Sequence, residues 1–249
     1  MIKGFLLSFL IFLFIVSGLS AEENFLFLRD NLGRAQPGDF IVTAQGKNYS
    51  LLHIQYKDSN QLTIEEISIP AAKVPRQNFL WRTWASQGFA GNSSRVLYTV
   101  DLANGQLKNF FSFTRGSWYE MSAQNNFFPT LLNLRFNYIS EKQRRRIGVC
   151  LVQTKQDKRP FWQPKMVVEG NEIQGVDFDA WKAQWPKDGT DLSGKTIEVY
   201  LPKKGMNYPS YFPYWLQISG LVGSAKVRII DSGSGLTTPL SLPYTFKKL

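Results

Sequence analysis

Cysteine and histidine are almost missing from this sequence: one of each occurs, Cys150 and His53. A single cysteine rules out any disulfide within the chain, so the fold has to rest on packing. Cys150 itself reads as a small buried apolar residue. One histidine and one cysteine are too few for a zinc site, which needs several such ligands. Any Ser-His-Asp or Cys-His site would have to use His53. That residue sits in Leu51-Leu52-His53-Ile54, within an expected strand, where an ordinary hydrogen-bonded histidine is the simpler reading. Other catalytic signatures are missing too. There is no phosphate-binding glycine loop and no G-x-S-x-G elbow. Gly233-Ser234-Gly235 follows an expected strand but opens no helix, so it reads as a turn.

Acidic pairs offer little more. Asp188-Gly189-Thr190-Asp191 lacks the ligand spacing and closing Glu of a calcium loop. Glu65 and Glu66 are adjacent, so in a strand they point to opposite faces and do not form a glycosidase pair. Asp177 and Asp179 are better spaced, but helix capping explains them. No catalytic, cofactor-binding or metal-binding residue is assigned, and no cofactor is expected.

Long hydrophobic runs are confined to the start. Lys3 precedes Phe5 to Val16, which is apolar except for Ser8, and Ser17-Gly18-Leu19-Ser20-Ala21 leads to Glu22 and Glu23. A basic start, a short apolar run and small residues before a polar boundary make a secretory signal peptide. The run is too short for a spanning helix, which wants about 20 apolar residues. Cleavage is expected after Ser20 or Ala21, Gly18 with Ser20 being the better small-x-small pair. The signal is assigned to 1–21 and a single domain to 22–249, with no transmembrane segment after cleavage. Export places the protein in the periplasm or outside the cell.

The chain carries 29 Lys and Arg against 19 Asp and Glu, a net charge of +10. That balance favours an acidic partner: an anionic lipid head group, an acidic glycan or nucleic acid. Export makes nucleic acid the least expected of these. Lys142, Arg144, Arg145, Arg146, Lys155, Lys158 and Arg159 concentrate the charge. Ser140-Glu141-Lys142-Gln143 fits a capping box opening a basic helix, and 153–165 reads as a loop and the sole candidate boundary.

Period-two patterns predict strands at Phe40–Ala44, Tyr49–Tyr56 and Leu62–Ile69 as a meander. The last of these mixes polar and apolar residues on each side, so neither face is expected to be cleanly buried. Arg95–Leu102 and Gln106–Thr114 form a hairpin about Asn104-Gly105, a type I′ signal. A further strand is expected at Ser117–Met121, and a small hairpin about Gly170-Asn171. Thr196–Leu201, Tyr214–Ser219 and Lys226–Asp231 end the chain as strands. Helices are expected at Glu22–Ala35, Gln77–Gln87 and Phe127–Arg135, and from Asp177 or Asp179 to Pro186 with Trp181 and Trp185 on one face. The seven tryptophans belong chiefly to core packing. A sharper reading of the aromatics is an apolar cavity for an acyl chain or a platform for sugars. The fold class is mainly β with short helices: a curved antiparallel sheet or open barrel in one domain, with a β-sandwich second.

Four stretches carry a family resemblance: Thr63-Ile-Glu-Glu-Ile, Phe178-Asp-Ala-Trp-Lys, Tyr208 to Gly220 and Ala225 to Gly233. In these the chain resembles a family of uncharacterised exported proteins of chlamydia-like Gram-negative bacteria. The resemblance implies a bacterial envelope, or the surroundings of an intracellular bacterium, as the destination. It carries no functional residue across. The expected function is that of an exported, non-catalytic envelope or secreted protein that binds a lipid, glycan or envelope component. The alternatives are an interaction or effector protein using its basic segment, and a hydrolase using carboxylates or Cys150 with His53.

Overall fold

The computed structural model describes residues 25–75, 79–119, 127–149, 157–203, 209–220 and 224–243. The signal segment and Cys150 lie outside the described residues. In chain order the elements are β1 (Phe25–Leu26), α1 (Leu28–Leu32), β2 (Phe40–Gln45), β3 (Asn48–Lys57), β4 (Gln61–Pro70), a 3-10 turn (Ala71–Lys73), α2 (Trp81–Ser86), β5 (Ser94–Asp101), β6 (Leu107–Ser112) and β7 (Ser117–Tyr119). There follow α3 (Phe127–Asn133), β8 (Phe136–Tyr138), β9 (Met166–Val168), β10 (Asn171–Ile173), β11 (Phe178–Gln184), β12 (Thr196–Pro202), β13 (Trp215–Ser219) and β14 (Ser224–Gly233).

Twelve strands make one antiparallel sheet in the order β1-β8-β11-β12-β13-β14-β2-β3-β4-β5-β6-β7, while β9 and β10 form a separate hairpin. The sheet has two wings. One is the meander β2 to β7, the other the meander β11 to β14. They meet where β14 pairs with β2, so the first and last long strands lie side by side at the centre. Register shifts at Ile54/Tyr56, Leu97/Thr99 and Ile229/Asp231 mark bulges. A bulge adds a residue to one strand, bends it and increases its twist. The sheet curves but does not close into a barrel.

Strand parity then divides the side chains between two cores. Ile41, Leu52, Ile64, Tyr98, Val199 and Leu216 share the concave face with Leu28 and Leu32 of α1 and Leu131 and Leu132 of α3. Phe40, Val42, Leu51, Ile67 and Ile69 face the other way, where Trp81, Trp84, Phe89 and Leu236 cover them. The mixed pattern of β4 is thereby explained. The face of Thr63, Glu65, Ile67 and Ile69 is fully buried despite its polar residues, whereas on the other face Leu62 and Ile64 are buried and Glu66 and Ser68 only partly so. The expectation that neither face is cleanly buried fails for the first and holds for the second.

The curved single-domain sheet matches the expected class, and so do the central strands. Four local expectations are corrected. First, residues 178–184 form β11, not a helix. Phe178-Asp-Ala-Trp-Lys-Ala-Gln-Trp carries both periods, and a seven-residue register with β12 decides for the strand. Asp177 and Asp179 therefore cap nothing. Second, Ser140 opens a single turn, through Arg144 N to Ser140 O at 3.1 Å, not a basic helix. Arg146 instead bridges Phe161 in antiparallel fashion, and the described part of the 153–165 loop packs on the sheet, leaving no boundary there. Third, the Asn104-Gly105 turn is not type I′, because Gly105 has a positive φ of 70° and Asn104 is not among the positive-φ residues. The turn is a wider one, with Gly105 N donating to Asp101 O at 2.7 Å. Fourth, the N-terminal helix is only α1, because Phe25 and Leu26 pair with β8.

Candidate functional site

The concave face is not completely filled. A cavity of about 350 Å3 lies between the sheet, α1, α3 and residues 211–213. Its sheet side is built by Ile41, Leu52, Leu216 and Val227, and its helix side by Leu28, Leu32, Phe128, Leu131 and Leu132. Leu107 and Phe110 close the β6 side. That volume falls at the lower end of the ~300–1,000 Å3 typical of small-molecule sites, which are concave and mostly apolar with a few placed polar groups.

Two tethers hold α3 over the cavity. Asn133 Nδ2 donates to Asn104 O at 2.8 Å, and Arg29 Nη1 of α1 donates to Asn133 Oδ1. The Gly105 turn fits beneath: a Cβ there would lie 2.7 Å from Asn133 Nδ2. Glycine is required at this position both by its φ and by this close approach.

Among the described residues lining the cavity, Glu66 is the one that is charged, accompanied by Thr43, Gln45 and Tyr98. Tyr98 donates to Glu66 Oε2 at 3.4 Å. Burial pushes the Glu66 carboxyl above its usual range, against smaller opposing hydrogen bonds from Ser50 and Tyr98. Burial also raises Tyr98 well above 10, helped by the Glu66 charge, so the phenol keeps its proton and acts as donor. The Tyr98 ring stacks on Phe110 with centroids 6.3 Å apart. The cavity is thus a greasy chamber with one acceptor-rich polar point.

Directly behind Glu66, on the opposite face of β4, Glu65 anchors a buried network. Arg95 Nε donates to Glu65 Oε1 at 2.5 Å, and Gln55 Nε2 to Oε2 at 2.5 Å. His53 Nε2–H donates to Leu236 O at 3.0 Å, and its Nδ1 lies 3.0 Å from Gln55 Nε2 and 3.4 Å from Glu65 Oε2. Arg95 also lies over the Phe113 ring, 3.7 Å from its centroid. Burial pushes Glu65 up, but the His53 hydrogen bond and the Arg95 charge outweigh it and hold the carboxyl below its usual range. His53 is 3 % exposed and Glu65 0 %. Both histidine nitrogens are engaged in a dry interior, the arrangement of a structural histidine.

The other residues weighed from the sequence are scattered. Asp188 accepts from Thr190 N at 3.0 Å and from Trp185 Nε1 at 2.9 Å, so it orders a turn. Asp177 pairs with Lys203 at 3.8 Å in the open. Asp179, on the same side of β11, is raised mainly by burial, with Lys203 and Arg144 opposing. The basic segment folds against the outer face of β12 and β13. Arg144 lies over Phe161 at 4.8 Å and Arg145 over Trp162 at 5.3 Å, with Arg145 also 3.6 Å from Glu198. Trp81 and Trp84 sit in the outer core as expected. Trp181 and Trp185 part company: the first packs on Tyr138 and the second stacks on Phe127.

Sequence reasoning put Glu66 on the face opposite Glu65 and raised an apolar cavity from the aromatics, but did not connect the two. Tyr98, Leu107 and Phe110 were also missed, although alternation along β5 puts Tyr98 on the same side as its partner's neighbour Glu66. The available signal was parity across paired strands.

A model of the CT021 protein family matches residues 50–174, half of the chain, with Glu66 and Tyr98 inside the matched region. Among solved structures, that of the hypothetical protein CT021 from Chlamydia trachomatis is similar with a TM-score of 0.57 and 19% identity, over 88% of this chain and 98% of that one. At that identity the likeness speaks for the fold alone. No curated protein matches the chain.

Proposed function

We propose that this chain, which belongs to the CT021 protein family, is an exported, non-catalytic protein that holds a mainly apolar ligand in the concave cavity of its sheet. The cavity carries this reading: about 350 Å3 of space lined by aliphatic and aromatic side chains, with a single carboxyl at its edge. A packed core has few voids larger than a water molecule, and even a ~150 Å3 apolar cavity takes up benzene. A space of this size between sheet and helices is a feature of the architecture. The apolar run from Phe5, followed by Gly18 to Ala21, supports export to the periplasm or cell exterior, where lipids and envelope components are at hand.

The groups a hydrolase would use are committed elsewhere. His53 is bonded to Leu236 and Glu65, and Glu65 and Glu66 occupy opposite faces of β4. Three arginines of the basic segment lie against Phe161 and Trp162, which favours a role in holding the segment down over capture of a partner protein.

The test is native mass spectrometry of the mature chain purified from its own envelope, followed by lipid extraction. The expected result is an apolar adduct that dissociates on extraction, and a stripped chain that binds an environment-sensitive apolar dye at one site. A stripped chain that binds neither extract nor dye overturns the proposal. N-terminal sequencing of the recovered protein tests export; the expected first residue is Ala21 or Glu22.

A further inference from the structure

The polar point of the cavity is one-sided. Among the described residues that line it, Glu66 alone bears a charge, with no lysine, arginine or histidine beside it. The single Tyr98 hydroxyl proton is directed at Glu66 Oε2, 3.4 Å away. On the strand beside Glu66, Ser50 shares a hydrogen bond with Ser68 through their hydroxyls at 2.9 Å and also hydrogen-bonds the Glu66 carboxyl, so Ser50 and Tyr98 are its two side-chain partners. An ionised carboxylate is purely an acceptor, with about four lone-pair positions, and these neighbours leave some of them unused. The site therefore has acceptor capacity to offer and no cation to offer.

We propose that the cavity selects amphiphiles whose end group donates a hydrogen bond, a long-chain alcohol or amine, and discriminates against the corresponding fatty acid. This deepens, and rests on, the reading of the cavity as a binding site. A donor end group satisfies the carboxylate that the apolar walls have removed from water. A carboxylate end group meets a like charge in a region of low dielectric, where repulsion is strongest and no counter-ion relieves it. Burial already works against the Glu66 charge, and a second negative charge beside it adds to that cost. The apolar chain supplies affinity in either case, lying along Leu28, Leu52, Leu131 and Leu216; the end group decides between ligands that share it.

The experiment compares lauryl alcohol, laurylamine and laurate, which have the same chain, by displacement of an apolar dye from the stripped mature protein at mildly alkaline pH. The alcohol and amine are expected to bind about tenfold or more tightly than laurate, the scale of one hydrogen bond to a charged group. Glu66→Gln, nearly the same shape without the charge, should narrow that gap by about tenfold, chiefly through a gain for laurate and a loss for the amine. Laurate binding the wild-type protein as well as the alcohol overturns the selectivity while leaving an apolar site in place. A gap unchanged in Glu66→Gln also overturns it, because some other group is then responsible. Failure of all three compounds to displace bound dye removes the cavity reading itself.

Discussion

Glu65 and Glu66 are neighbours in the chain and yet live in different solvents. The outer face of β4 has closed around Glu65: Arg95, Gln55 and His53 saturate it, and α2 with Leu236 caps the region. The concave face has stayed open around Glu66, beside a chamber of about 350 Å3. The two carboxyls are accordingly shifted in opposite directions, Glu65 down and Glu66 up. The difference teaches which kind of buried charge points to function. A charge whose partners are all supplied by the fold is spent on the fold. A charge facing unfilled apolar space, with few partners of its own, has capacity left for something that is not part of the chain.

The comparison is broken most severely by removing Arg95. Arg95→Leu leaves Glu65 buried without its arginine, held only by Gln55 and His53, a change that costs up to about 3–5 kcal/mol. Urea denaturation should show that loss, and Glu65→Leu in the same chain should recover much of it, since an apolar pair has no charge to desolvate. Equal stability of Arg95→Leu and the parent would mean that Arg95 does not hold the Glu65 charge as described.

The next effect falls on the other face. Leu107→Phe puts extra volume into the chamber wall where space is available, so it should lower dye affinity by about tenfold while changing stability by less than ~1.5 kcal/mol. The same kind of enlargement on the filled outer face, Leu51→Phe, has no space to enter and should cost about 1–3 kcal/mol. Leu51 is 0 % exposed beneath Trp81 and Trp84. If both enlargements cost the same, the two faces are equally packed and the contrast fails.

Much of this division was legible in the sequence. The alternation in Tyr49–Tyr56 and Leu62–Ile69 gave β3 and β4, and parity alone put Glu65 and Glu66 on opposite faces. What could not be read was which of the two faces would be left open. That depends on β14 settling between β13 and β2, and on α1 and α3 meeting over the sheet although about a hundred residues separate them. These are long-range events with no local signature. The missed strand β11 has a different cause. Phe178 and Ala180 fit period two, while Trp181 and Trp185 fit helical spacing, and only pairing with β12 decides. The basic run misled for a third reason: its arginines read as a solvated helix, but Phe161 and Trp162 give their guanidinium planes a surface to lie on, and flat cation–aromatic contact holds the segment in an irregular path.

The opposite pKa shifts give a sharper test through pH. Glu65, lowered in the folded state, contributes stability that is present above its unfolded pKa of about 4.3 and is lost as pH falls through its lower folded value. Glu66, raised, contributes in the other sense: its favourable term is complete below the unfolded value and disappears as pH rises through the folded one. Glu66→Gln should therefore match the parent in acid and become relatively more stable as pH rises toward neutrality. Glu65→Gln should do the reverse, its deficit largest near neutrality and shrinking in acid. Chemical denaturation across that pH range, with both variants beside the parent, checks the crossing. Parallel curves would mean that the two carboxyls share one environment.

The smallest effect concerns the hydroxyl that meets Glu66. Tyr98→Phe keeps the ring stacked on Phe110 and removes only the hydrogen bond to Glu66 Oε2, which at 3.4 Å is long. A neutral donor to a charged acceptor at this distance belongs at or below the usual ~0.5–1.5 kcal/mol of a single hydrogen bond, so the change in stability should stay within about 1 kcal/mol. The informative readout is the carboxyl itself. Without the Tyr98 donor the anionic form of Glu66 loses a partner, and its titration, followed by NMR of a side-chain carboxyl label, should move further upward. The Glu65 signal should hold its place, because Tyr98 faces away from it. Movement of both signals together would show that β4 transmits the change from one face to the other, and the two glutamates would then have to be treated as one coupled pair.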